Sequence, residues 1–155
     1  MAVEIERKYL VIHDKLPALE KGELIVQSYV PTMNSSTVRI RLYGTTAFLT
    51  LKGPSQGISR PEFEYAIPAS DAHEMLTLLC APGAIEKHRY KVLHDGMIWE
   101  IDVFEGSNKG LVLAEIELTS ETQQYTLPDW IGADVSADIR YSNQSLMKSP
   151  WPAWK

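Results

Sequence analysis

The sequence lacks the features that mark several large classes of protein. Cys80 is the single cysteine among 155 residues, so no internal disulfide can form, which fits a reducing compartment. No apolar run approaches the length of a membrane span, and the N-terminus has acids where a signal peptide would be basic and then apolar. The net charge of -5 has the wrong sign for general nucleic-acid binding. We therefore expect a cytoplasmic protein that binds neither nucleic acid nor a membrane.

Internal repeats, low-complexity segments and interdomain linkers are also missing. The composition is that of a globular protein, with 45% apolar and 23% charged residues. The stretch "GPSQG" lacks the Gly-Lys-Ser/Thr ending and the following helix of a phosphate-binding loop, so we predict a turn there. A chain of this length is the size of one domain, and we expect a single domain over residues 1–155.

Alternation of apolar and polar residues is what the sequence does have, and it recurs along most of the chain. A period of two is typical of β-strands that bury one face. The alternation predicts eight strands, at residues 3–11, 24–30, 37–43, 47–52, 59–67, 85–93, 97–104 and 111–118. Helical spacing appears after Pro68 and again over residues 137–148. The predicted fold class is therefore mainly β (α+β), with short turns such as Asp95-Gly96 that suit antiparallel neighbours.

The polar positions of these strands are almost wholly ionic, and successive ones often carry the same sign. In "EIERK", Glu4, Glu6 and Lys8 share one face of the first strand. The acids that share such faces are Glu4, Glu6, Glu62, Glu64, Glu100, Asp102, Glu115 and Glu117. The bases are Lys8, Arg39, Arg41, Lys52, Lys87 and Arg89. For one strand a solvated face with cross-strand ion pairs is the simpler interpretation, but seven strands together favour a specific ligand.

The ligand class follows if the sheet closes on itself. Eight antiparallel strands can form a barrel, which removes exposed edges and makes one face an interior. Crowded carboxylates raise one another's pKa unless cations lie among them, and crowded bases need an anion. Carboxylate oxygens suit Mg²⁺ or Mn²⁺, while arginine and lysine suit phosphate groups. We predict an eight-stranded antiparallel closed β-barrel that binds a polyanion together with Mg²⁺ or Mn²⁺.

Several stretches also resemble a known family. "EIERK" resembles the ExExK signature of the CYTH domain, the family of triphosphate tunnel metalloenzymes. "VRIRL", "TLK", "RPEFEY", "EKHRY", "WEIDVF" and "LAEIEL" resemble its remaining blocks in their usual order, so the resemblance covers nearly the whole chain. It implies an eight-stranded tunnel that binds triphosphate compounds with divalent cations. Family members include inorganic, thiamine and RNA triphosphatases and a class of adenylate cyclases.

The resemblance further implies a role for each ionic residue. The residues expected to bind metal are Glu4, Glu6, Glu62, Glu64, Asp102, Glu115 and Glu117, with Glu100 as a further candidate. Those expected to bind the small-molecule triphosphate are Lys8, Arg39, Arg41, Lys52, Lys87 and Arg89. The expected catalytic residues are Glu6, Lys8 and Lys87, with either lysine able to assist the departing phosphate.

Inorganic triphosphate is the expected substrate, because the chain has little beyond its strands from which to build a pocket for a base. The activity would then be metal-dependent hydrolysis to pyrophosphate and phosphate. Adenylate cyclase and thiamine triphosphatase are the alternatives, the latter with Tyr29 as a candidate aromatic platform. A module that binds nucleotides or polyphosphate without turnover is the alternative from another class.

Two further expectations concern the outside and one end of the barrel. Two or three short helices cannot cover the apolar outer face of eight strands, so we expect a homodimer. The stretch "RYSNQSL" is similar to a C-terminal helix that closes one end of the tunnel in bacterial members of the family. Tyr141 and Asn143 are therefore expected to cap or gate the tunnel.

Overall fold

The structure, a computed structural model, describes residues 2–154, with Ala153 described by its backbone only. Nine strands and two α-helices follow one another along the chain. The strands are β1 (Val3–Val11), β2 (Glu23–Val30), β3 (Thr37–Tyr43), β4 (Thr46–Lys52), β5 (Ser59–Ala66), β6 (Ile85–His94), β7 (Met97–Phe104), β8 (Val112–Glu117) and β9 (Ile131–Asp134). The helices are α1 (Ala69–Leu78), between β5 and β6, and α2 (Asn143–Lys148), after β9.

The first eight strands form a closed antiparallel barrel, which confirms the predicted fold class. Around the barrel they run in the order β5-β4-β3-β2-β6-β7-β8-β1, and β1 pairs with β5 to complete the circle. All eight agree with the predicted strands to within one residue at each end. Ionic pairs such as Lys8 opposite Glu115 keep the alternation in register across neighbouring strands.

Strand β1 closes the barrel because it is long enough to have different neighbours at its two ends. Its residues 3–5 pair with β5, and residues 6–10 pair with β8 on the opposite edge. Strand β9 then pairs with β1 at Tyr9 and Val11, beyond the point where β5 ends. The sequence did not predict β9, because four residues reading Ile-Gly-Ala-Asp are too few to show an alternation.

Most of the apolar outer face is covered by loops and by one helix. Trp99 is fully buried at the centre of an aromatic cluster, with its ring 5.6 Å from Tyr9, 5.9 Å from Tyr125 and 5.8 Å from Trp130. Helix α1 covers Ile40 and Ala47 through its buried Ala72. Such contacts contribute most of the hydrophobic stabilisation that holds a small barrel closed.

The C-terminal segment packs into one end of the barrel. Leu146 of α2 is fully buried against inward-facing apolar residues of β6, β7 and β8, among them Ile85, Phe104 and Leu113. The single helical stretch predicted over residues 137–148 is divided in the structure into a 3-10 turn at Ile139–Tyr141 and α2. The division falls at Ser142, whose hydroxyl accepts a hydrogen bond from the Ser145 amide and so begins a new helix.

Aromatic contacts fasten this segment from outside. The rings of Tyr141 and Trp154 meet edge to face at 5.2 Å, and the Arg140 guanidinium lies 4.7 Å from the Trp154 ring. The Trp151 amide donates to Asn108 Oδ1 at 2.9 Å.

Among residues 2–154, none of the helices has the length and apolar character needed to cross a membrane.

Candidate active site: a charged tunnel

The ionic residues predicted for the barrel face its interior, where they line two cavities. One cavity of about 590 Å³ opens between the β3–β4 turn and the β6–β7 hairpin. The other, of about 630 Å³, opens between the loops around Ser55 and Ser136. Glu4, Glu6 and Arg39 belong to the walls of both. The two cavities are therefore the two ends of one tunnel, which α2 narrows at the second mouth without sealing it.

Charge is divided between the two halves of the tunnel wall. Strands β7, β8, β1 and β5 are neighbours around the barrel, and they carry the inward-facing acids. Strands β6, β2, β3 and β4 complete the circle and carry the inward-facing bases, except Lys8 and Arg60, which lie in the acidic half. Glu23 of β2 is an acid on the wall of the first cavity in the basic half. The folded chain thus has an acidic half and a basic half facing one another, which the sequence order alone did not reveal.

Ion pairs cross the boundary between the halves near the junction of β1, β5 and β4. The Lys52 ammonium lies 2.9 Å from Glu4 Oε1 and 3.2 Å from Glu62 Oε2. Burial would raise the pKa of Glu4, but the Lys52 charge outweighs it and the pKa lies below its usual value. Next to them, Arg39 donates to Glu64 at 3.3 Å, and Thr50 donates to the same carboxylate at 2.8 Å.

A second ion-pair cluster lies on the far side, where β6 meets β7. Asp102 accepts two hydrogen bonds from Arg89, at 2.8 and 2.9 Å, and one from Lys87 at 2.7 Å. Burial opposes the ionisation of Asp102, but these two cations overcome it and hold its pKa well below the usual range. Burial lowers the pKa of Lys87 to about 8, and Asp102 only partly offsets that effect.

The predicted site residues are thus brought together, but they do not all reach the tunnel surface. Lys87 and Asp102 are fully buried and belong to neither cavity wall. Lys87 donates a hydrogen bond to Asn143 at 3.1 Å, and Asn143 lines both cavities. Lys8 lines the second cavity and donates to the Tyr141 carbonyl at 3.1 Å. Both residues expected to cap the tunnel therefore contact a predicted catalytic lysine.

Glu115 connects the two halves through weaker contacts. Its carboxylate lies 3.8 Å from Lys8 Nζ and 3.8 Å from Arg89 Nη2. Burial would raise its pKa, but Lys8 and then Arg89 and Lys87 outweigh burial and lower the pKa to about 2. Ionised Glu115 is therefore a stabilising group in the ligand-free protein.

This shift gives a testable dependence of stability on pH. Because the folded-state pKa of Glu115 lies below its unfolded value of about 4.3, its contribution is fully present above that pH and is lost as the pH falls towards 2. At pH 7 the contribution is on the order of 3 kcal/mol. Replacing Glu115 with glutamine should lower the melting temperature at pH 7, and the difference from wild type should narrow between pH 5 and about 3. A difference that stays constant over this range would contradict the assignment.

Glu6 stands out because it has no such partner. Among residues 2–154, none donates a hydrogen bond to its carboxylate or forms an ion pair with it within 4.0 Å. Burial, and then the charges of Glu115 and Glu4, raise its pKa well above the usual value. Burial and neighbouring carboxylates raise the pKa of Glu62 and Glu117 as well. The acidic half therefore has more negative charge than its own bases compensate.

The uncompensated negative charge of the acidic half raises the question of whether its residues fit a divalent cation. In the part of the chain that the structure describes, no three His, Cys, Asp or Glu side chains converge on one point as metal ligands would. Glu4, Glu62 and Glu64 are engaged with Lys52 and Arg39 instead. The donor set still fits Mg²⁺ or Mn²⁺, because carboxylate oxygens are their preferred ligands and the half-buried Glu6 has no cation within ion-pair distance among the described residues.

Several tunnel residues were not predicted as functional. Thr50 and Gln27 contact the predicted bases, and Tyr43 and Phe48 line the first cavity. Gln27 and Thr50 occupy inward positions of predicted strands, so their place on the inner face could have been found from the alternation. Their neutral side chains gave no reason to include them in a site defined by charge.

Comparison with known proteins agrees with this geometry. Residues 2–149 match the CYTH domain. An inorganic triphosphatase of Acetivibrio thermocellus is 46% identical over 155 residues, which is 100% of this chain and 99% of that protein. An inorganic triphosphatase of Nitrosomonas europaea is 39% identical, with 94% of this chain and 97% of that protein covered. The crystal structure of the inorganic triphosphatase NE1496 is 37% identical and superposes with a TM-score of 0.67, covering 96% of this chain and 97% of that one.

Proposed function

The chain belongs to the CYTH domain family, and we propose that it is a divalent-metal-dependent triphosphatase that hydrolyses inorganic triphosphate to pyrophosphate and phosphate. The observation that carries this proposal is the division of the tunnel into an acidic half and a basic half. A bare polyanion would need only the bases, and a bare cation only the acids. A triphosphate with divalent cations needs both, facing one another.

Inorganic triphosphate is preferred over organic triphosphates on two grounds. The relatives in A. thermocellus and N. europaea, which cover 100% and 94% of the chain, are named inorganic triphosphatases. The middle of the tunnel, where the two cavities overlap, is lined by ionic groups and Asn143, which suit phosphate oxygens and offer no apolar surface for an organic ring. ATP and thiamine triphosphate are the comparison substrates.

The basic half is proposed to bind the phosphates. The residues proposed for this role are Arg39, Arg41, Lys52 and Arg89, all on the wall of the first cavity, with Lys8 on the wall of the second. The residues that would hold Mg²⁺ or Mn²⁺ are Glu4, Glu6, Glu115 and Glu117, with Glu62, Glu64 and Glu100 as direct or water-mediated ligands. Asp102 lies behind the tunnel wall and would orient Lys87 and Arg89 instead. When bound, such a cation neutralises phosphate charge and lowers the pKa of a coordinated water.

The two lysines predicted to assist the departing phosphate are proposed to act differently. Burial would lower the pKa of Lys8, but Glu115 and Glu6 outweigh it and the pKa is raised, so Lys8 supplies a permanent positive charge. Lys87 is fully buried behind the tunnel wall and donates to Asn143, which lines both cavities, so it is proposed to act through Asn143 and by its buried charge. Asp102 and Asn143 orient its ammonium, because each accepts a hydrogen bond from Nζ.

Phosphate release tests the proposal. Inorganic triphosphate, ATP and thiamine triphosphate are each incubated with the protein in Mg²⁺, in Mn²⁺ and in chelator. The proposal predicts metal-dependent turnover with inorganic triphosphate as the best substrate, and loss of turnover in the Lys87→Ala variant, which removes the buried charge behind Asn143. If triphosphate bound with metal but no substrate turned over, the enzyme proposal would be rejected in favour of a module that binds without turnover.

A homodimer is proposed from an apolar part of the outer face that the described residues 2–154 leave exposed. Val3, Leu51, Phe63 and Tyr65 are adjacent across β1, β5 and β4, and they are between 38% and 55% exposed. A second copy of the chain would cover this patch, and the protein should then have twice its chain mass of 17.5 kDa in light scattering. Phe63→Lys should dissociate it, and a wild-type protein of monomer mass would rule the dimer out. A cytoplasmic location stays a prediction.

A further inference from the structure

Arg41 differs from the other predicted phosphate-binding residues in having no carboxylate partner. The other five each form an ion pair with an acid, namely Lys8 with Glu115, Arg39 with Glu64, Lys52 with Glu4, Lys87 with Asp102 and Arg89 with Asp102. Among residues 2–154, no acid lies within ion-pair distance of Arg41. It is nevertheless buried, with 8% of its surface exposed, and it belongs to the wall of the first cavity.

The partner that Arg41 does have is neutral. Gln27 lies directly opposite it on β2, and Arg41 Nε donates a hydrogen bond of 2.6 Å to Gln27 Oε1. Gln27 is fully buried. Because a guanidinium only donates, the amide oxygen must face Arg41, and Gln27 Nε2 is left without a partner among the described residues. An unpaired buried donor costs stability. A residue that served only to fill the core would not need such a donor, so packing alone is a poor explanation for Gln27.

The electrostatics of this pair favour binding of an anion. Burial, and then the charges of Arg39 and Arg89, lower the pKa of Arg41 to about 10, which shows how poorly its charge is compensated. A carboxylate at position 27 would compensate the charge of Arg41 in the ligand-free protein. It would also cancel the charge to which a phosphate group could bind. A neutral acceptor fixes the direction of the guanidinium and leaves its charge available.

We propose that Gln27 is a positioning residue that holds Arg41 for the substrate while leaving its charge uncancelled, which makes Arg41 the principal anchor for phosphate in the tunnel. This inference deepens the proposed function and rests on it for the identity of the phosphate compound. Gln27 itself need not touch the substrate. It acts through the Nε hydrogen bond, and the phosphate binds to the remaining nitrogens of Arg41.

The Gln27→Glu variant separates positioning from structure. The introduced carboxylate keeps the size and the acceptor, and it forms an ion pair with Arg41, so the ligand-free protein should melt no lower than wild type. Affinity for tripolyphosphate, measured by calorimetry with Mg²⁺ present, should nevertheless fall by at least about tenfold, with KM raised more than kcat is lowered. Gln124→Glu adds the same charge at an exposed position outside the barrel and should leave the affinity unchanged.

The outcomes distinguish this inference from the proposed function. Equal affinity in folded Gln27→Glu and wild type would overturn the inference while leaving the function intact. If wild type bound pyrophosphate in a Gln27-dependent way but released no phosphate from any triphosphate, the proposed function would fail and the inference would stand. If Gln27→Glu did not fold, Gln27→Met takes its place, because it retains the volume and removes the acceptor. Unchanged tripolyphosphate affinity in that variant would also overturn the inference.

Discussion

Replacing Glu6 with glutamine is expected to abolish turnover of inorganic triphosphate and, at the same time, to stabilise the metal-free protein. The loss of turnover should be about a hundredfold or more, because the change removes a negative oxygen from the acidic half where a divalent cation is proposed to bind. The side chain keeps its size, so the barrel should remain folded.

The gain in stability follows from the direction of the pKa shift. Burial and the charges of Glu115 and Glu4 raise the folded-state pKa of Glu6 above its unfolded value. Ionising Glu6 in the folded protein therefore costs free energy, and this cost is absent below the unfolded pKa and fully present above the folded one. Glutamine removes the cost, so the melting temperature of the metal-free protein should rise at pH 8.

Thermal melts with and without Mg²⁺ show whether wild type and the Glu6→Gln variant bind the ion. Mg²⁺ should raise the melting temperature of wild type and have little effect on the Glu6→Gln variant, because only a protein that binds the ion is stabilised by it. Glu74→Gln is the matched control, since Glu74 is exposed on α1 outside the barrel and lines neither cavity. A Glu6→Gln variant that is fully active, or that melts lower than wild type, would contradict the account of the acidic half.

The Asp102→Ala variant should show the largest loss of stability. Asp102 is fully buried and accepts hydrogen bonds from Lys87 and from Nε and Nη2 of Arg89. Its removal leaves Lys87 without its carboxylate partner, and Arg89 with only the longer contacts to Glu100 and Glu115, at 3.4 and 3.8 Å. Breaking such a cluster costs about 3–5 kcal/mol, which corresponds to a fall in melting temperature of roughly 6–20 °C for a domain of this size.

Asp134 provides a matched control for this variant. It also pairs with an arginine, Arg7, at 3.1 Å, but both side chains are more than one third exposed. Asp134→Ala should therefore cost only about 1 kcal/mol or less, because water screens an exposed pair. If both variants lost the same free energy of unfolding in urea, the buried cluster would contribute no more to stability than an exposed ion pair.

The strands were predictable because each of the eight carries a complete period-two pattern that one local rule can identify. The tunnel interior was predictable for the same reason, since Arg39 and Arg41 or Glu115 and Glu117 must share a face. Strand β9 was missed because it is too short to carry a pattern, and it is a strand only through its pairing with β1. The break at Ser142 also escaped prediction, because it depends on how the segment meets the end of the barrel.

The alternation of apolar and polar residues could not predict which residues of different strands contact one another. The alternation cannot say that Lys87 lies behind the tunnel wall while Lys8 lies on it, because both occupy inward positions. It cannot pair Gln27 with Arg41 either, since the six-residue connection between β2 and β3 does not by itself fix their register. Charge identified the residues of the site, but the three-dimensional structure was needed to show which charges compensate one another.

The most direct test of the central claim is a crystal structure of the protein with Mn²⁺ and tripolyphosphate, in which anomalous scattering locates the metal. The account predicts an anomalous peak on the acidic half, coordinated by Glu6 and its neighbours, and phosphate density against Arg39 and Arg41 on the basic half. Phosphate density outside the barrel, or manganese bound only at surface carboxylates, would contradict the claim that the two halves of the tunnel hold a metal triphosphate between them.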